Sequence, residues 1–502
     1  MKKYLLNYAA AALAGLGLVA CASVTDTVEV TTGTVIRNAT VVNTRDGSLA
    51  PGMTVIINAG KIEQVAAIKS IHISGSARLV DASGKYLVPG YLDMHTHAMP
   101  MADKQPSYWP LLIANGITGI REMAGSAEFI ARTKSINADS AAGRVDAPEI
   151  LLMPGNLLVG VMSPALGVQQ VQQQKAMGAD FIKLVSANHD ATLAVLAEAK
   201  KQGLSVAGHL PPSVSAEEAS KAGWHAMEHL GAGMGLLLDC ATDEVGIRDA
   251  ALRAAGPPVF TPDSITSPML YRYRDAPFYQ QILNNYSEKK CLGLAATFIA
   301  NDTWQVPTLV RLRAMEFSND PRYRNDPNLV YVSKTSRALW EQLAAQFETK
   351  APAAAANTFQ QYYVQQQKVI GLMKQHGVKM LTGSDLGGIW VIPGFGLHRE
   401  FRELASAGLS PLDILQMTTL NGAEFLHRET SMGTVDAGKN ADLVLLDANP
   451  IADVANLDKI SGVFLKGKYF SKDDLETMKR KVAQAYAQQP IGRAGAEPVH
   501  ID

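Results

Sequence analysis

Strand and helix patterns alternate through the middle of the chain, most clearly from Val168 to Leu230. An apolar strand pattern at Phe181–Val185 is followed by a helix pattern at Thr192–Gln202 and a second strand at Leu204–His209. A third strand, Trp224–His229, comes after a short capped helix. Such repeats fold as parallel strands joined by helical crossovers, and the spacing alone allows either an open sheet or a closed barrel.

Short apolar runs broken by turns flank this repeat on both sides. One set lies between Thr34 and Val80, and a similar set returns at 441–446 and 462–468. These runs are typical of short strands, and we predict that both sets pair in one small domain. The predicted domains are a β-sandwich from residues 27–88 plus 432–470, an inserted barrel at 89–431, and a C-terminal helix and tail at 471–502.

Two helical stretches interrupt the repeat, at about residues 236–301 and 317–361. We interpret them as insertions over the barrel mouth, where loops determine substrate specificity.

The 502 residues are 47% hydrophobic and 19% charged, and this apolar content is ample for a large core. A formal net charge of -1 gives no electrostatic reason to bind nucleic acid, so a small molecule or dipeptide is the expected partner.

The first residues have the pattern of a secretion signal. Met1-Lys2-Lys3 precedes an apolar run from Ala9 to Ala20, which is too short to span a bilayer convincingly. The run ends in Leu18-Val19-Ala20-Cys21, which resembles the bacterial lipobox, where the cysteine is acylated after cleavage. We predict a lipoprotein signal peptide at 1–20 and a lipid on Cys21. An ordinary signal peptide cut nearby is the alternative.

The lipobox resemblance implies an exported protein that is anchored to a bacterial membrane through its lipid alone and faces the periplasm or the cell surface. Ala22 lacks the acidic group that favours inner-membrane retention in enteric lipoproteins, so the outer membrane is expected in a Gram-negative cell.

Export exposes thiols to oxidising conditions. Cys240 and Cys291 either form a disulfide or remain buried and free, because sequence does not fix the distance between them.

The strongest chemical signal is the run from Val88 to His97, in which His95 and His97 end an apolar strand. A spacing of two directs both imidazoles to one face of a strand. In a barrel that face lines the C-terminal mouth, where catalytic residues lie. We predict that the pair binds metal, and two surface histidines are the alternative.

Lys183 lies inside the apolar run Phe181–Val185. An isolated buried charge is costly, and burial lowers the pKa of an amine. A neutral amine can react with carbon dioxide to form a carbamate, which bridges two cations as a carboxylate does. In company with the other candidate ligands we predict an N6-carboxylysine at Lys183. A lysine paired with a buried acid is the alternative.

Three further candidates end apolar strands. His209 follows residues 204–208, and His229 follows residues 224–228, so we predict that both bind metal at the barrel mouth. Asp385 ends the run Thr382-Gly383-Ser384-Asp385 and is predicted to bind metal and move a proton, with a helix N-cap as the alternative. His225 lies deeper or at the start of its strand and is assigned to packing.

The ordered set of candidates resembles the binuclear amidohydrolase superfamily over nearly the whole chain after the signal. The set is His95, His97, Lys183, His209, His229 and Asp385. The resemblance implies an α/β fold, a (β/α)8 TIM-like barrel with a small β-sandwich, whose ligands come from strands one, four, five, six and eight. The motifs at 208–211, 228–230 and 381–385 resemble the imidazolonepropionase-related branch. Imidazolonepropionase itself resembles a one-metal site without a ligand at the position of Lys183. With this lysine, the chain resembles prolidase-type dipeptidases and N-acyl amino acid hydrolases.

The resemblance implies a metal-dependent hydrolase of amide bonds that uses two divalent metal ions, with zinc as the default for these ligands. Asp385 is then suited to receive a proton from the attacking water and return it to the leaving amine. The same ligands also suit lactone, ester or phosphotriester cleavage. An inactive lipid-anchored binding protein is the non-enzyme alternative. The sequence does not specify an oligomeric state.

The run Trp304–Arg313 is interpreted as barrel strand seven entering the mouth. If the strand continues that far, Arg311 and Arg313 share one face and can hold the carboxylate of an amino-acid-like substrate. Solvated or salt-bridged arginines at the start of the insertion are the competing interpretation.

Overall fold

The computed structural model describes most of the chain between the predicted signal peptide and the C-terminal tail. The described residues are 28–68, 70–99, 108–256, 266–267 and 272–489. The predicted signal peptide, Cys21 and the end of the predicted tail lie outside them. Within these ranges, no helix combines the length and the apolar character needed to cross a membrane.

Strands and helices alternate over most of the described chain. The strands are β1 Val28–Val30, β2 Thr34–Val42, β3 Leu49–Asn58, β4 Lys61–Ala66, β5 Ile71–Ile73, β6 Arg78–Asp81, β7 Tyr86–Pro89, β8 Tyr91–Thr96, β9 Ile117–Glu122, β10 Glu149–Leu152, β11 Phe181–Leu184, β12 Ser205–Gly208, β13 Trp224–Glu228, β14 Trp304–Val306, β15 Leu443–Leu446, β16 Ile460–Leu465 and β17 Lys468–Ser471. The α-helices are α1 Tyr108–Ala114, α2 Ala127–Ala141, α3 Pro164–Met177, α4 His189–Gln202, α5 Ala216–Lys221, α6 Gly235–Asp239, α7 Glu244–Ala254, α8 Ala276–Asn284, α9 Glu288–Ala300, α10 Leu309–Glu316, α11 Pro321–Arg324, α12 Lys334–Lys350, α13 Ala353–Gln375, α14 Phe395–Ser406, α15 Pro411–Met417, α16 Leu420–Phe425 and α17 Lys472–Gln488.

Parallel strands close into an eight-stranded barrel. Strands β8 to β10 and β11 to β14 form two parallel sheets, and Leu158, beyond β10, pairs with Leu184 of β11. An extended segment at 379–386 is the eighth strand. Its Lys379 carbonyl accepts from the backbone N–H of Gln305 on β14 at 3.0 Å, and its Thr382 carbonyl accepts from that of Met94 on β8 at 2.9 Å. The closed ring confirms the predicted α/β barrel.

Local sequence signals determine where the crossover helices begin and end. The side chain of Asn188 accepts a hydrogen bond from the backbone of Ala191 and caps α4, and Gly203 ends that helix with a φ of 66°. The next helix, α5, begins at the predicted cap, because Ser215 accepts from the backbone N–H of Glu218. These caps fix the points at which β12 and β13 begin, and so set which residues reach the barrel mouth.

The two terminal β stretches form one mixed sheet. Its strand order is β17-β16-β15-β7-β2-β3-β4, with β6 paired to β2. Strand β15, from the C-terminal stretch, runs antiparallel to β7, which leads directly into the first barrel strand. The pair β1 and β5 packs its apolar side chains near Val35 and Ile56 on that sheet, which gives the domain a second layer.

The chain leaves barrel strand seven earlier than the sequence predicts. Strand β14 ends at Val306, and helix α10 begins at Leu309. Pro307 has no backbone N–H to continue a strand ladder, and Thr308 adopts a left-handed φ of 46° that turns the chain. The prediction that the strand runs on to Arg313 is therefore wrong.

Helical insertions lie in the two predicted regions. The first contains α6 to α9, and the second extends beyond its predicted end because α13 continues to Gln375. The insertions pack on each other, since the ring of Tyr279 on α8 lies 5.1 Å from Phe359 and 4.6 Å from Tyr362 on α13. Both stretches therefore contribute to the same apolar core.

A disulfide joins Cys240 and Cys291, which resolves the alternative that the sequence leaves open. Their Cα atoms are 4.8 Å apart, and the bond links positions separated by 51 residues. Cys240 follows α6 and Cys291 lies in α9, so the bond closes the first insertion on itself.

We predict that replacing both cysteines with alanine lowers the free energy of unfolding by about 2–4 kcal/mol, because a cross-link of this span restricts the unfolded chain. Urea unfolding of the wild type and the double variant measures the difference. A reducing agent should lower the stability of the wild type and leave that of the variant unchanged. Equal stability of wild type and variant under oxidising conditions would contradict the prediction.

Candidate metal centre

All six residues predicted for the metal site lie at the C-terminal ends of barrel strands. They are His95 and His97 at the end of β8, Lys183 on β11, His209 after β12, His229 after β13, and Asp385 near the end of the eighth strand. Parallel strands in a closed barrel direct these ends to one mouth. The structure therefore collects residues that are spread over much of the sequence.

His95, His97 and Asp385 form the centre of the cluster. Asp385 Oδ1 lies 3.3 Å from His95 Nε2 and 3.2 Å from His97 Nε2. One potential ligand atom from each residue lies within 4.8 Å of the others. The side chain of His95 is fully buried, whereas that of His97 is 32% exposed. This trio can hold a divalent metal ion on the side of the cluster that is open to solvent.

His229 and His209 adjoin this trio. His229 Nε2 lies 3.8 Å from Asp385 Oδ2, and the His229 ring centroid is 4.5 Å from that of His95 and 5.1 Å from that of His209. Burial lowers the pKa of His209 and of His229 well below the usual value. Both imidazoles are therefore neutral near pH 7, which is the form that binds metal cations.

The close approach of two strands brings His209 to the mouth. Gly208 has a φ of 141°, and a Cβ atom there would lie 2.0 Å from the carbonyl oxygen of Leu184. Only glycine allows β12 to approach β11 this closely. His209 then emerges beside the strand that carries Lys183.

Lys183 is 2% exposed, and its Nζ atom has no hydrogen-bond partner among the described residues. Burial lowers the pKa of Lys183 to about 8, although the carboxylates of Glu228 and Asp385 act in the opposite direction. The alternative of a lysine paired with a buried acid stays open, because the Nζ atom makes no hydrogen bond but the charges of Glu228 and Asp385 act on it. Its amine is left available for reaction or for ligand contact.

Asp385 is held in a strained and charged environment. Its φ is 51°, and its Oδ2 atom accepts a hydrogen bond from Arg311 Nε at 3.0 Å. Burial acts to raise the pKa of Asp385, but the nearby His95 and His229 outweigh it and hold that pKa well below the usual value. Asp385 is thus ionised, which suits it to bind a cation.

The two arginines predicted to hold substrate have different positions. Arg311 is 4% exposed on α10, and its Nη1 donates to the carbonyl of Thr266 at 2.7 Å while Nε contacts Asp385. Arg313 bonds Asp320 at 3.0 Å and Tyr323 at 2.9 Å, outside the cluster. Because both residues lie on a helix, the shared strand face that motivated the prediction does not exist. Arg311 nevertheless reaches the site through Asp385.

Several groups at the site have no counterpart in the sequence prediction. Glu228 lies 2.6 Å from His95 Nδ1 and binds Arg121. Its position directly before His229 was the available signal. Thr308 contacts His229 Nδ1 and donates its own hydroxyl hydrogen to the carbonyl of Pro307 at 2.8 Å. The hydroxyl therefore accepts from His229 Nδ1–H, which leaves Nε2 free for a metal.

Two buried carboxylates support the first and second barrel strands. Asp93 accepts from the Ser384 hydroxyl at 2.6 Å and from its backbone N–H at 2.9 Å, which ties β8 to the eighth strand. Glu122, at the end of β9, accepts from Thr96 and from the backbone of Ala98 just after His97. Burial raises the pKa of Glu122 to about 8. Both groups fix the backbone that carries the histidine pair.

His225 lies at the start of β13, away from this cluster, and stacks on Phe425 with ring centroids 4.6 Å apart. This contact agrees with its assignment to packing.

Parts of this chain are similar to known proteins in sequence and in fold. Residues 361–469 match the model of the amidohydrolase family. Adenine deaminase 3 from Rhizobium meliloti (strain 1021) is 27% identical over 228 residues, which cover 39% of this chain and 36% of that protein. The chain thus spans about a third of the length of this curated relative.

Solved structures share the fold over a much larger part of the chain. Bottromycin amidohydrolase has a TM-score of 0.66 and 18% sequence identity, and the match covers 90% of each chain. An Xaa-Pro dipeptidase with bound methionine in the active site has a TM-score of 0.59 and 16% identity over 88% of this chain and all of that one. The family match is confined to residues 361–469, and the solved structures, at 16–18% identity, show that the fold is shared.

Proposed function

We propose that the protein is a metal-dependent hydrolase that cleaves amide C–N bonds in dipeptides or N-acyl amino acids, with two divalent metal ions at the barrel mouth. The observation that carries this proposal is the convergence of four histidines, Lys183 and Asp385 at one end of one barrel. The similarity to a bottromycin amidohydrolase and to an Xaa-Pro dipeptidase supports amide substrates. It favours them over the lactones, esters and phosphotriesters that the same ligands would suit.

The donor atoms fit a metal centre. His95 Nε2 and Lys183 Nζ are buried and make no hydrogen bond within the described part of the chain. Buried polar atoms are nearly always satisfied in folded proteins, so two polar atoms without hydrogen bonds at one site indicate a missing partner. Imidazole and carboxylate ligands make zinc the default metal. His95, His97 and Asp385 would hold one ion, and His209 and His229 would hold the second.

As a carbamate, Lys183 would provide a carboxylate-like ligand for both ions. Its amine is buried and has a lowered pKa, so the neutral form that reacts with carbon dioxide is accessible near pH 8. The amine nitrogen attacks the carbon of carbon dioxide and loses a proton to solvent, which leaves an anionic carbamate. This negative charge would compensate the positive charge of two cations in a buried site.

When bound, the two ions lower the pKa of a water molecule and polarise the substrate carbonyl. Asp385 would accept the proton of the attacking water and deliver it to the leaving amine, which departs poorly without protonation. Arg311 keeps Asp385 in place through its bond to Oδ2. His97 is more exposed than His95, so substrate approaches from the side of His97.

We also propose that the protein is exported and anchored by a lipid on Cys21. The lipobox-like run before Cys21 motivates the proposal, and the Cys240–Cys291 disulfide supports it, because structural disulfides form mainly in oxidising compartments.

We predict that metal-loaded protein hydrolyses dipeptides or N-acyl amino acids faster than lactones and esters. Asp385→Asn should lower kcat about 100-fold or more and change KM little, because proton transfer contributes at the transition state. Steady-state kinetics on a panel of these substrates measures both effects. A preference for lactones, or near-normal turnover by the variant, would overturn the amide assignment or the role of Asp385 respectively.

We predict that Lys183→Ala reduces bound metal from two ions to one or none and removes most activity, because the variant has no carbamate. Added short carboxylic acids should restore part of both. Metal content by elemental analysis is the measurement, and Lys175→Ala, at an exposed lysine on α3, is the control. Two bound ions in the Lys183 variant would rule out the carbamate.

We predict that Cys21→Ser yields active protein without a lipid, since Cys21 precedes the described fold. Labelling with a fatty acid and detergent partitioning provide the readout. Retention of the acyl label by the variant would contradict the assignment of Cys21.

A further inference from the structure

A chain of buried polar contacts crosses the barrel interior beside the metal centre. His95 Nδ1 lies 2.6 Å from Glu228 Oε2, and Glu228 Oε1 lies 2.7 Å from Arg121 Nη2. All three side chains are at most 1% exposed. They come from β8, β13 and β9, so the contacts join strands that are distant in the sequence.

Arg121 is fixed from several directions. Its Nε donates to the carbonyl of Met94 at 2.6 Å. Its guanidinium lies 5.7 Å from the ring centre of Phe181 and 5.3 Å from that of Phe425. A buried arginine needs a carboxylate partner, and among the described residues Glu228 pairs with Arg121. Glu228 is therefore ionised and can only accept hydrogen bonds.

This arrangement decides which nitrogen of His95 carries the proton. Because Glu228 only accepts, His95 donates from Nδ1, and in the neutral imidazole Nε2 then carries the lone pair. His95 Nε2 makes no hydrogen bond to any described residue and lies 3.3 Å from Asp385 Oδ1. The unprotonated nitrogen is thus directed to the position where a cation would be bound.

We infer that Glu228, held in place by Arg121, is a positioning residue that fixes the Nδ1–H tautomer of His95 and so presents its Nε2 atom to a metal ion. This inference rests on the proposed metal-dependent function. Glu228 and Arg121 act only through His95. Thr308 has the same relation to His229, which shows that two ligands of the cluster are oriented by groups outside it.

The tautomer can be measured in metal-free wild-type protein. Labelling with ¹⁵N-histidine and long-range ¹H–¹⁵N correlation distinguishes a protonated Nδ1 from a protonated Nε2, and the His95 signals are identified by their loss in His95→Asn. We expect the proton on Nδ1. A proton on Nε2 would overturn the inference. This measurement uses the unaltered chain and does not require bound metal, so it remains decisive if the protein binds no metal and the proposed function fails.

Glu228→Gln tests the consequence for metal binding. We expect its zinc affinity, measured by competition with a chromogenic chelator, to fall about 10- to 100-fold, because outer-sphere partners of metal-bound histidines have effects of this size. Arg121→Lys keeps the charge but loses the bond to Met94, and should give a smaller loss. It also provides the affinity test if Glu228→Gln does not fold.

Asp239→Asn is the matched control, because Asp239 is also a buried carboxylate, bonded to Arg248 at 3.0 Å outside the cluster. It should lower stability without changing zinc affinity. A zinc affinity of Glu228→Gln within twofold of that of the wild type, or an equal loss in Asp239→Asn, would overturn the positioning role. Wild-type protein without measurable zinc affinity would instead contradict the proposed function.

Discussion

Backbone hydrogen bonds between β8 and the eighth barrel strand are the interaction on which the site depends. They join segments far apart in the chain, because the backbone N–H of Met94 donates to the carbonyl of Thr382. Without this closure, Asp385 would not lie beside His95 and His97. The apolar strands provide the driving force for closure, and the hydrogen bonds fix its register. The small mixed sheet strengthens the same junction, because β15 pairs with β7, directly before β8.

Two buried carboxylates at the barrel mouth, Glu228 and Asp385, are each paired with an arginine. Burial acts to raise the pKa of Glu228, but the positive charge of Arg121, together with His95, outweighs this effect and lowers that pKa to about 2. Arg311 forms the corresponding ion pair with Asp385. Removing one member of such a pair typically costs about 3–5 kcal/mol, because the other charge is left buried and unpaired. Each carboxylate is thus stabilised by an arginine from another strand or helix.

The sequence predicts parallel strands with helical crossovers and site residues at the strand ends, because both follow from short-range patterns, whereas closure into a barrel is implied only by the family resemblance. A histidine or aspartate directly after an apolar run marks a strand end, and the barrel brings those ends together. The failure at Arg313 has a local cause: an apolar run continues past Pro307, but the left-handed Thr308 converts it into a helix. The contacts of Arg121 and Thr308 depend on which side chains meet across the closed barrel, and no local pattern encodes such pairings.

Several features of the barrel mouth lower the free energy of unfolding. Lys183 Nζ, His95 Nε2 and Glu122 Oε2 are buried without hydrogen bonds among the described residues, and each such atom typically costs about 1–3 kcal/mol. Asp385 and Thr308 add backbone strain through their positive φ values. The large apolar core and the disulfide must offset these costs in the metal-free chain. A metal ion that binds only the folded state would stabilise that state, so metal binding and folding would be coupled at the proposed centre.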